Sequence, residues 1–345
     1  MLKRTAICLA TLILLQSPNA FAQTAPDTLE APALNAAARA QVIDALIREL
    51  KAYYVLPDVA AKIETALRAR QQRGDYDSAV LPQDLANILT ADLRGVGQDM
   101  HLGVRAGDRP LPPMPAPGSK PSAADEARFQ ARAKELNYGI GKVETLPGNI
   151  GYLEMHGFGP VKYVDQAVSA AMSQLADCDA LILDMRANGG GDPAGVAFLT
   201  SYLFDKRTHL NDLYWREGDR TEEFWTREDV PGKKYGQHKA VYVLTSSKTF
   251  SGAEEFSYNL QQLKRATLVG ETTGGGANPG RVRQLPSNFS VFVPNGRAIN
   301  PITKTNWEHT GVVPDVKVPA ADALATAQKL AQGQLAASPP RKAVN

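Results

Sequence analysis

Glycine- and serine-rich loops that follow predicted β-strands carry residue types suited to nucleophilic chemistry. One such loop ends at Ser251, where a helix is predicted to begin. A serine at that position lies beside free helix N–H groups and the positive end of the helix dipole, which would stabilise a negative charge forming near its hydroxyl. Ser251 and Glu254 also form the Ser-x-x-Glu pattern of a capping box, in which the serine only caps the helix. From this segment alone, both interpretations stay open.

A second loop contains three consecutive glycines, Gly189, Gly190 and Gly191. Because glycine adopts backbone conformations that other residues avoid, this loop could direct N–H groups at an anion or a polarised carbonyl. Gly189, Gly191 and Ala194 also match Gly-x-Gly-x-x-Ala, the pattern of a nucleotide-binding turn. The charged start of the loop, Asp184-Met185-Arg186, and the predicted export of the chain argue against a dinucleotide. A purely structural tight turn is the other alternative.

Two further regions supply histidine and acidic residues, Asp99-Met100-His101-Leu102 and Trp307-Glu308-His309. Histidine suits the role of a general base because it titrates near neutrality, and a carboxylate can orient it. Taken alone, each of these residues is more often a surface residue than a catalyst. The sequence does not indicate a metal site, since it has neither Cys-x-x-Cys nor His-Glu-x-x-His and its five histidines are scattered.

The elements predicted around these loops form an α/β protein with a helical N-terminal part. Apolar residues recur at helical spacing from about residue 38 to 92, which predicts about three helices. Asn295-Gly296 predicts a hairpin turn within 291–297. The later predicted elements are strands at 149–155, 180–184, 240–244 and 267–269, and helices at 123–136, 164–175, 194–203, 251–263 and from about 320.

The first 22 residues have the features of a signal peptide, with Lys3 and Arg4, an apolar segment and a small-x-small site ending at Ala22. We therefore expect cleavage after Ala22 and a periplasmic or secreted protein; the alternative is an N-terminal helix that anchors the chain to a membrane. The predicted organisation is a signal peptide (1–22), a flexible leader (23–37), a helical subdomain (38–104), a proline-rich loop with a short helix (105–136), an α/β core (137–337) and a disordered tail (338–345).

Composition and charge exclude several other classes of protein. The chain is 43% hydrophobic and 21% charged, which is typical of a globular protein. Its 38 basic and 36 acidic residues give a net charge of +2 without a basic stripe, so we expect no nucleic-acid partner. No later stretch has transmembrane length, so the mature chain should not insert into a membrane. Cys178 is the one cysteine beyond the signal peptide, and its two flanking aspartates predict a structural thiol rather than a nucleophile.

The order of five sequence blocks is more specific than any one of them. The blocks are Asp-x-His-Leu, Asp-x-Arg-x-Asn-x-Gly-Gly, Thr-x-Ser-x-x-Glu-Glu-Phe, Gly-Glu-Thr-Thr-x-Gly-Gly and Trp-Glu-x-x-Gly-Val-x-Pro-Asp-Val. From about Leu46 to Val318, this order resembles the tail-specific (C-terminal processing) serine peptidase family. It is most similar to the branch with the interphotoreceptor retinoid-binding protein repeats, and less similar to the tricorn protease core. The resemblance implies a ClpP/crotonase-like α/β core with an N-terminal helical bundle.

The resemblance also implies a site and a reaction. Ser251 would be the nucleophile, His101 the general base, and Glu308 the residue that orients and charge-stabilises the histidine. His309, next to Glu308, is the rival for the role of base. The oxyanion hole would consist of backbone N–H groups of Gly190 or Gly191 and of Gly252. The implied activity is hydrolysis of a peptide or protein substrate through an acyl-enzyme, with no metal or other cofactor.

Two departures from the family pattern shape these expectations. Classical tail-specific peptidases use a serine–lysine pair, but here Gly270-Glu271-Thr272-Thr273 is followed by three glycines, and Lys248 is not at the family position. A serine–histidine–glutamate triad is therefore preferred. No clear PDZ domain separates the helical part from the core, and Met100 stands where some tricorn-like members have a serine. The alternative functions are a non-catalytic binder of small apolar ligands and, less favoured by export, a crotonase-like hydratase.

Overall fold

The structure is a computed structural model that describes residues 33–111 and 120–337. Several predicted segments lie wholly or partly outside the described residues: the signal peptide, most of the leader, the middle of the proline-rich loop and the C-terminal tail.

The helices are α1 (Ala36–Tyr53), α2 (Pro57–Gln72), α3 (Pro82–Gly97), α4 (Ala123–Glu135), α5 (Val161–Leu175), α6 (Pro193–Ser201), α7 (Gly252–Gln262) and α8 (Ala323–Ala337). The strands are β1 (Gly103–Ala106), β2 (Ile140–Leu146), β3 (Ile150–Met155), β4 (Ala180–Asp184), β5 (His209–Trp215), β6 (Arg220–Trp225), β7 (Ala240–Thr245), β8 (Thr267–Gly270), β9 (Gly280–Gln284), β10 (Phe289–Pro294), β11 (Gly296–Ile299) and β12 (Val316–Lys317).

Helices α1, α2 and α3 form the N-terminal region, and local signals fix their ends. The Asn35 side chain accepts the N–H of Ala38 at 2.8 Å and caps α1, which begins inside the segment predicted as a flexible leader. Proline occupies the first turn of both α2 and α3, where its missing N–H costs no hydrogen bond. Gln98, in a left-handed conformation, ends α3 and leads directly into the segment that carries His101.

A six-stranded sheet in the order β12-β8-β7-β4-β3-β2 forms the centre of the rest of the chain. Its strands are parallel except for β2, which is antiparallel to β3. Alternate residues of each strand point to opposite faces, so one face packs against α5, α6 and α7 and the other packs against α8. The α/β fold class with a helical N-terminal region is confirmed. Within the described residues, only β1 and α4 lie between α3 and the sheet, and no PDZ domain is evident.

Two three-stranded sheets, β1-β10-β9 and β11-β5-β6, complete the fold. The predicted hairpin at Asn295-Gly296 is wrong, because β10 and β11 belong to different sheets. The turn usual at Asn-Gly needs positive φ at both residues, and neither residue has it here. Instead, both N–H groups donate to the Pro279 carbonyl at 3.0 Å, and the chain passes from one sheet to the next.

Within the described part of the chain, no helix is both long enough and apolar enough to cross a membrane. Cys178 is buried and reduced, with its Sγ 3.7 Å from the Thr145 hydroxyl.

Candidate active site

Ser251 lies at the turn between the buried strand β7 and helix α7, in a strained backbone conformation. Its φ of 54° and ψ of −121° are uncommon for a residue with a side chain. The Ser251 N–H donates to Glu254 Oε2 at 2.8 Å, which is the backbone half of the predicted capping box. A sharp strand-to-helix turn of this kind exposes a nucleophile at the edge of a sheet.

Glu254 holds this turn against the glycine loop that follows β8. Its buried carboxylate accepts hydrogen bonds from the Thr273 hydroxyl at 2.5 Å and from the N–H groups of Gly275 and Gly276 at 2.6 and 2.9 Å. Together with the bond from Ser251, these contacts fix the serine relative to residues 273–276. The Ser-x-x-Glu pattern predicts only a capping role for Glu254, and the contacts with residues 273–276 go beyond it.

The glycine loop after β4 lies against the N-terminus of α7. The Gly190 N–H donates to Asn188 Oδ1 at 2.8 Å, so it is not available to a substrate. The N–H groups of Gly191 and Gly252 donate to no acceptor in the described part of the chain. They are close neighbours, because a Cβ placed on Gly252 would lie 3.1 Å from the Gly191 nitrogen. Of the predicted oxyanion-hole donors, the geometry therefore favours Gly191 and Gly252 and argues against Gly190.

His101 follows α3, and its imidazole is enclosed between two aromatic rings. The ring centroids of Phe250 and Phe292 lie 4.5 and 5.7 Å from that of His101. The side chain is 8% exposed, and neither ring nitrogen has a hydrogen-bond partner among the described residues. Phe250 precedes Ser251 in the chain, so the imidazole packs against the immediate neighbour of the serine.

Two carboxylates face this imidazole. Asp99 Oδ1 lies 3.7 Å from His101 Nδ1, and one ligand atom each of Asp99, His101 and Glu308 lies within 4.8 Å of the other two. The Tyr54 hydroxyl and the Asn278 amide donate to Asp99 Oδ2 at 3.2 and 3.0 Å. Glu308 Oε2 accepts the Ala277 N–H at 2.5 Å, while its buried Oε1 has no partner within the described residues. Asp99 was part of a predicted block, but no role was predicted for it.

The two carboxyl groups differ in their protonation. Burial opposes ionisation of Asp99, but the adjacent His101 imidazole at 3.7 Å and hydrogen bonds from the Asn278 amide and the His101 backbone N–H hold its pKa below the usual range. Burial and the nearby charge of Asp99 raise the pKa of Glu308 to about 8. The two environments therefore favour an ionised Asp99 and a protonated Glu308.

The same three residues are a group that could hold a metal ion, since imidazole nitrogen and carboxylate oxygen are suitable zinc ligands. Their position beside a cleft that also contains Ser251 and two free N–H groups fits acyl transfer at least as well, because that chemistry needs a base held by a carboxylate.

One cleft of about 620 Å³ brings most of the predicted residues together. His101, Ser251, Gly191 and Gly252 line it, whereas Gly190 and Glu308 do not. His309 also lies outside the cleft: its side chain is 51% exposed, although its Nδ1 is 3.8 Å from Glu308 Oε1. Lys248 is exposed in a separate depression with Arg186 and Glu271.

The raised pKa of Glu308 predicts a pH-dependent stability. In the unfolded chain this carboxyl ionises near its usual pKa of 4.5, but in the folded chain it retains its proton up to about pH 8. Between pH 4.5 and about pH 8, the folded state thus binds more protons than the unfolded chain. The contribution of Glu308 to the free energy of unfolding should therefore fall by up to about 1.4 kcal/mol per pH unit as the pH rises. Urea unfolding at several pH values should show a smaller slope for Glu308→Gln than for the wild type.

Glu135→Gln is the matched control, because that side chain is 67% exposed and should not alter the slope. Equal slopes in the wild type and Glu308→Gln would contradict the assignment of the buried proton to Glu308.

Two family profiles match this chain, and each matched region contains part of the site. Residues 149–318 match the sequence profile of peptidase family S41. Residues 28–136 match the profile described as the N-terminal domain of peptidase S41 in eukaryotic IRBP. The chain belongs to peptidase family S41. Within this S41 chain, Ser251 and Glu308 lie in the first matched region and His101 lies in the second.

Solved structures support the fold of this S41 chain. A protein from Parabacteroides merdae ATCC 43184 is 20% identical with a TM-score of 0.59, and the match covers 88% of this chain and 99% of that one. A lipoprotein from Streptococcus agalactiae is 15% identical with a TM-score of 0.55, covering 87% and 98%. The tricorn protease is 14% identical with a TM-score of 0.52, covering 86% of this chain and 37% of the tricorn chain.

Proposed function

We propose that this chain is a serine peptidase that hydrolyses peptide bonds through an acyl-enzyme. Ser251 is the nucleophile and His101 the general base, and Glu308 and Asp99 hold the imidazole. One observation carries the proposal: a strained serine, a buried imidazole and two backbone N–H groups line the same cleft, and neither the imidazole nor the N–H groups have a hydrogen-bond partner among residues 33–111 and 120–337. Membership of family S41 supports the same reaction class.

The reaction follows from these positions. His101 accepts the proton of Ser251 Oγ as that oxygen attacks the scissile carbonyl carbon. The resulting oxyanion is stabilised by the N–H groups of Gly191 and Gly252, at roughly 3 kcal/mol for each donor. The imidazolium transfers its proton to the leaving amine, and the ester on Ser251 is then hydrolysed by a water that His101 deprotonates. The ionised carboxylate of Asp99 stabilises the imidazolium in both steps.

The conformation of Gly190 provides a test of the oxyanion hole. Its φ of 103° disfavours any side chain, and a Cβ there would lie 2.7 Å from the Gly252 nitrogen and 2.8 Å from the Ser251 Cβ. Gly190→Ala should therefore displace the Gly252 donor and lower kcat/KM at least about 100-fold. Steady-state hydrolysis of a peptide substrate measures this loss.

Gly189→Ala is the matched control for Gly190→Ala. A Cβ at Gly189 has no neighbour within 4 Å, and its φ is not positive, so kcat/KM should stay within a few-fold of the wild type. Equal activity of the two variants would argue against an oxyanion hole at this loop.

We also propose that the protein acts in the periplasm or outside the cell, after removal of residues 1–22 as a signal peptide. The features of Lys3, Arg4 and the segment ending at Ala22 support this proposal. N-terminal sequencing of the protein recovered from its host tests it. A chain that starts at Gln23 is expected, and a chain that retains Met1 would contradict it.

A non-catalytic binder of small apolar ligands is the second candidate function. A separate cavity of about 270 Å³ favours it, because Phe129, Leu136, Tyr138 and Tyr163 contribute an almost wholly apolar lining. Incubation with a mixture of short peptides, followed by mass spectrometry of the products, separates the two functions. New peptide ends that require Ser251 are expected of a peptidase, and an unchanged mixture would favour the binder.

A further inference from the structure

A buried carboxyl group that the proposed reaction does not use lines the cleft beside Ser251. Glu255 lies one turn further along α7 than Ser251, lines the cleft and is 4% exposed. Its Oε1 has no hydrogen-bond partner within the described residues. Asn211 on β5 is fully buried and close enough to Glu255 to lower the pKa of that carboxyl group, but no hydrogen bond of ordinary geometry joins its Oδ1 or Nδ2 to a described residue. Buried polar atoms are nearly always paired. We therefore expect a ligand in the cleft to supply the partner that these atoms lack.

The charges around the cleft favour a cation as that partner. Three carboxylates line it, Asp192, Glu222 and Glu255, whereas no lysine or arginine is among the described lining residues. Asp192 is already used, because its Oδ1 accepts the Ala194 N–H at 2.8 Å and caps α6. Glu222 is also used, because Arg220 donates to its Oε2 at 3.3 Å. Glu255 is the carboxyl group that remains for a ligand.

The walls of the cleft complement the stem of a long cationic side chain. Leu213 and Trp215 of β5, Phe224 of β6 and Trp307 contribute apolar surface to the same cleft. Lysine and arginine pack their methylene groups against such surface while the charged end reaches a polar group. A cleft that combines apolar walls with a buried acid is therefore suited to these two side chains and not to acidic ones.

We propose that this cleft binds a lysine or arginine side chain of the peptide substrate next to the scissile bond, with Glu255 as the specificity-determining residue. This inference rests on the proposed peptidase function. Burial, and to a smaller degree the charge of Asp192, raises the pKa of Glu255 to about 8. A bound cation would favour the ionised form of Glu255 and replace its missing partner.

Binding to a protein that cannot turn over tests the cleft separately from catalysis. Matched peptides with arginine, lysine, glutamine or methionine at one position are titrated by calorimetry into Ser251→Ala and into Ser251→Ala/Glu255→Gln. We expect the first protein to bind the arginine and lysine peptides at least 30-fold more tightly than the methionine peptide. In Ser251→Ala/Glu255→Gln, the affinity for these cationic peptides should exceed that for the methionine peptide by less than about 3-fold. Glutamine binding as tightly as arginine, or no effect of Glu255→Gln, would overturn the inference.

Hydrolysis of the same four peptides by otherwise wild-type protein completes the test. Glu255→Gln should lower kcat/KM for the arginine peptide at least 30-fold relative to the methionine peptide. Glu223→Gln, which changes an exposed acid of β6 that does not line the cleft, should alter that ratio less than 3-fold. Hydrolysis without a preference for cationic peptides overturns the inference but leaves the peptidase function intact. Selective binding without any hydrolysis supports the cleft and contradicts the peptidase function. The preference of the wild-type protein decides the matter even if Glu255→Gln does not fold.

Discussion

Replacing Ser251 by alanine should lower kcat for peptide hydrolysis by roughly 10⁴-fold or more, because the variant has no atom that can form the acyl-enzyme. The fold should survive. Alanine keeps the backbone hydrogen bond from residue 251 to Glu254 and loses at most a helix cap, which is worth about 1 kcal/mol. Initial rates of peptide hydrolysis, measured together with the melting temperature, separate the two effects.

Ser247→Ala is the control for this experiment, since Ser247 is an exposed serine of the same loop and does not line the cleft. Its variant should hydrolyse peptide at the wild-type rate. A Ser251→Ala protein that melts earlier yet still hydrolyses peptide would mean that Ser251 only caps α7.

Replacing His101 by alanine should cost about as much activity as replacing Ser251. Without the imidazole, the cleft has no histidine to accept the proton of the serine hydroxyl and to donate a proton to the leaving amine. Because such residues act as a unit, the double variant His101→Ala/Ser251→Ala should be no less active than either single variant. Single-turnover and steady-state rates of the three proteins provide the comparison.

The other histidines of the chain allow a matched control. His156 and His309 have side chains about half exposed, and neither lines the cleft, so their alanine variants should retain activity within a few-fold of the wild type. A severe loss in His309→Ala with little loss in His101→Ala would transfer the role of base to His309.

Elements with a strong local signal could be predicted from the sequence. The apolar strands β3, β4 and β7 are buried on both faces of a parallel sheet, so their residues reveal them directly. Strands β6 and β9 were missed, because they are short, polar and exposed in small sheets, and their pairing depends on distant segments. The Asn295-Gly296 signal failed because tertiary contacts with Pro279 override the local turn preference.

Part of the candidate site could likewise be predicted from the sequence, and part could not. Ser251, His101 and Glu308 could be proposed because each lies in a short motif with a fixed order along the chain. The roles of Asp99 as a second carboxylate at His101 and of Glu255 in the cleft could not be proposed from the sequence. Asp99 approaches the imidazole through the turn after α3, and helix α7 directs the adjacent residues Glu254 and Glu255 to different surroundings. These contacts depend on the tertiary packing of segments that the sequence does not relate to one another.

Covalent labelling with a fluorophosphonate, followed by peptide mapping, tests most directly whether His101 and Ser251 form one working centre. We predict a single adduct on Ser251 in the wild type and at least a 100-fold slower reaction in His101→Ala, because the reagent requires a serine activated by its base. An unlabelled Ser251, or labelling at the same rate without His101, would contradict the account.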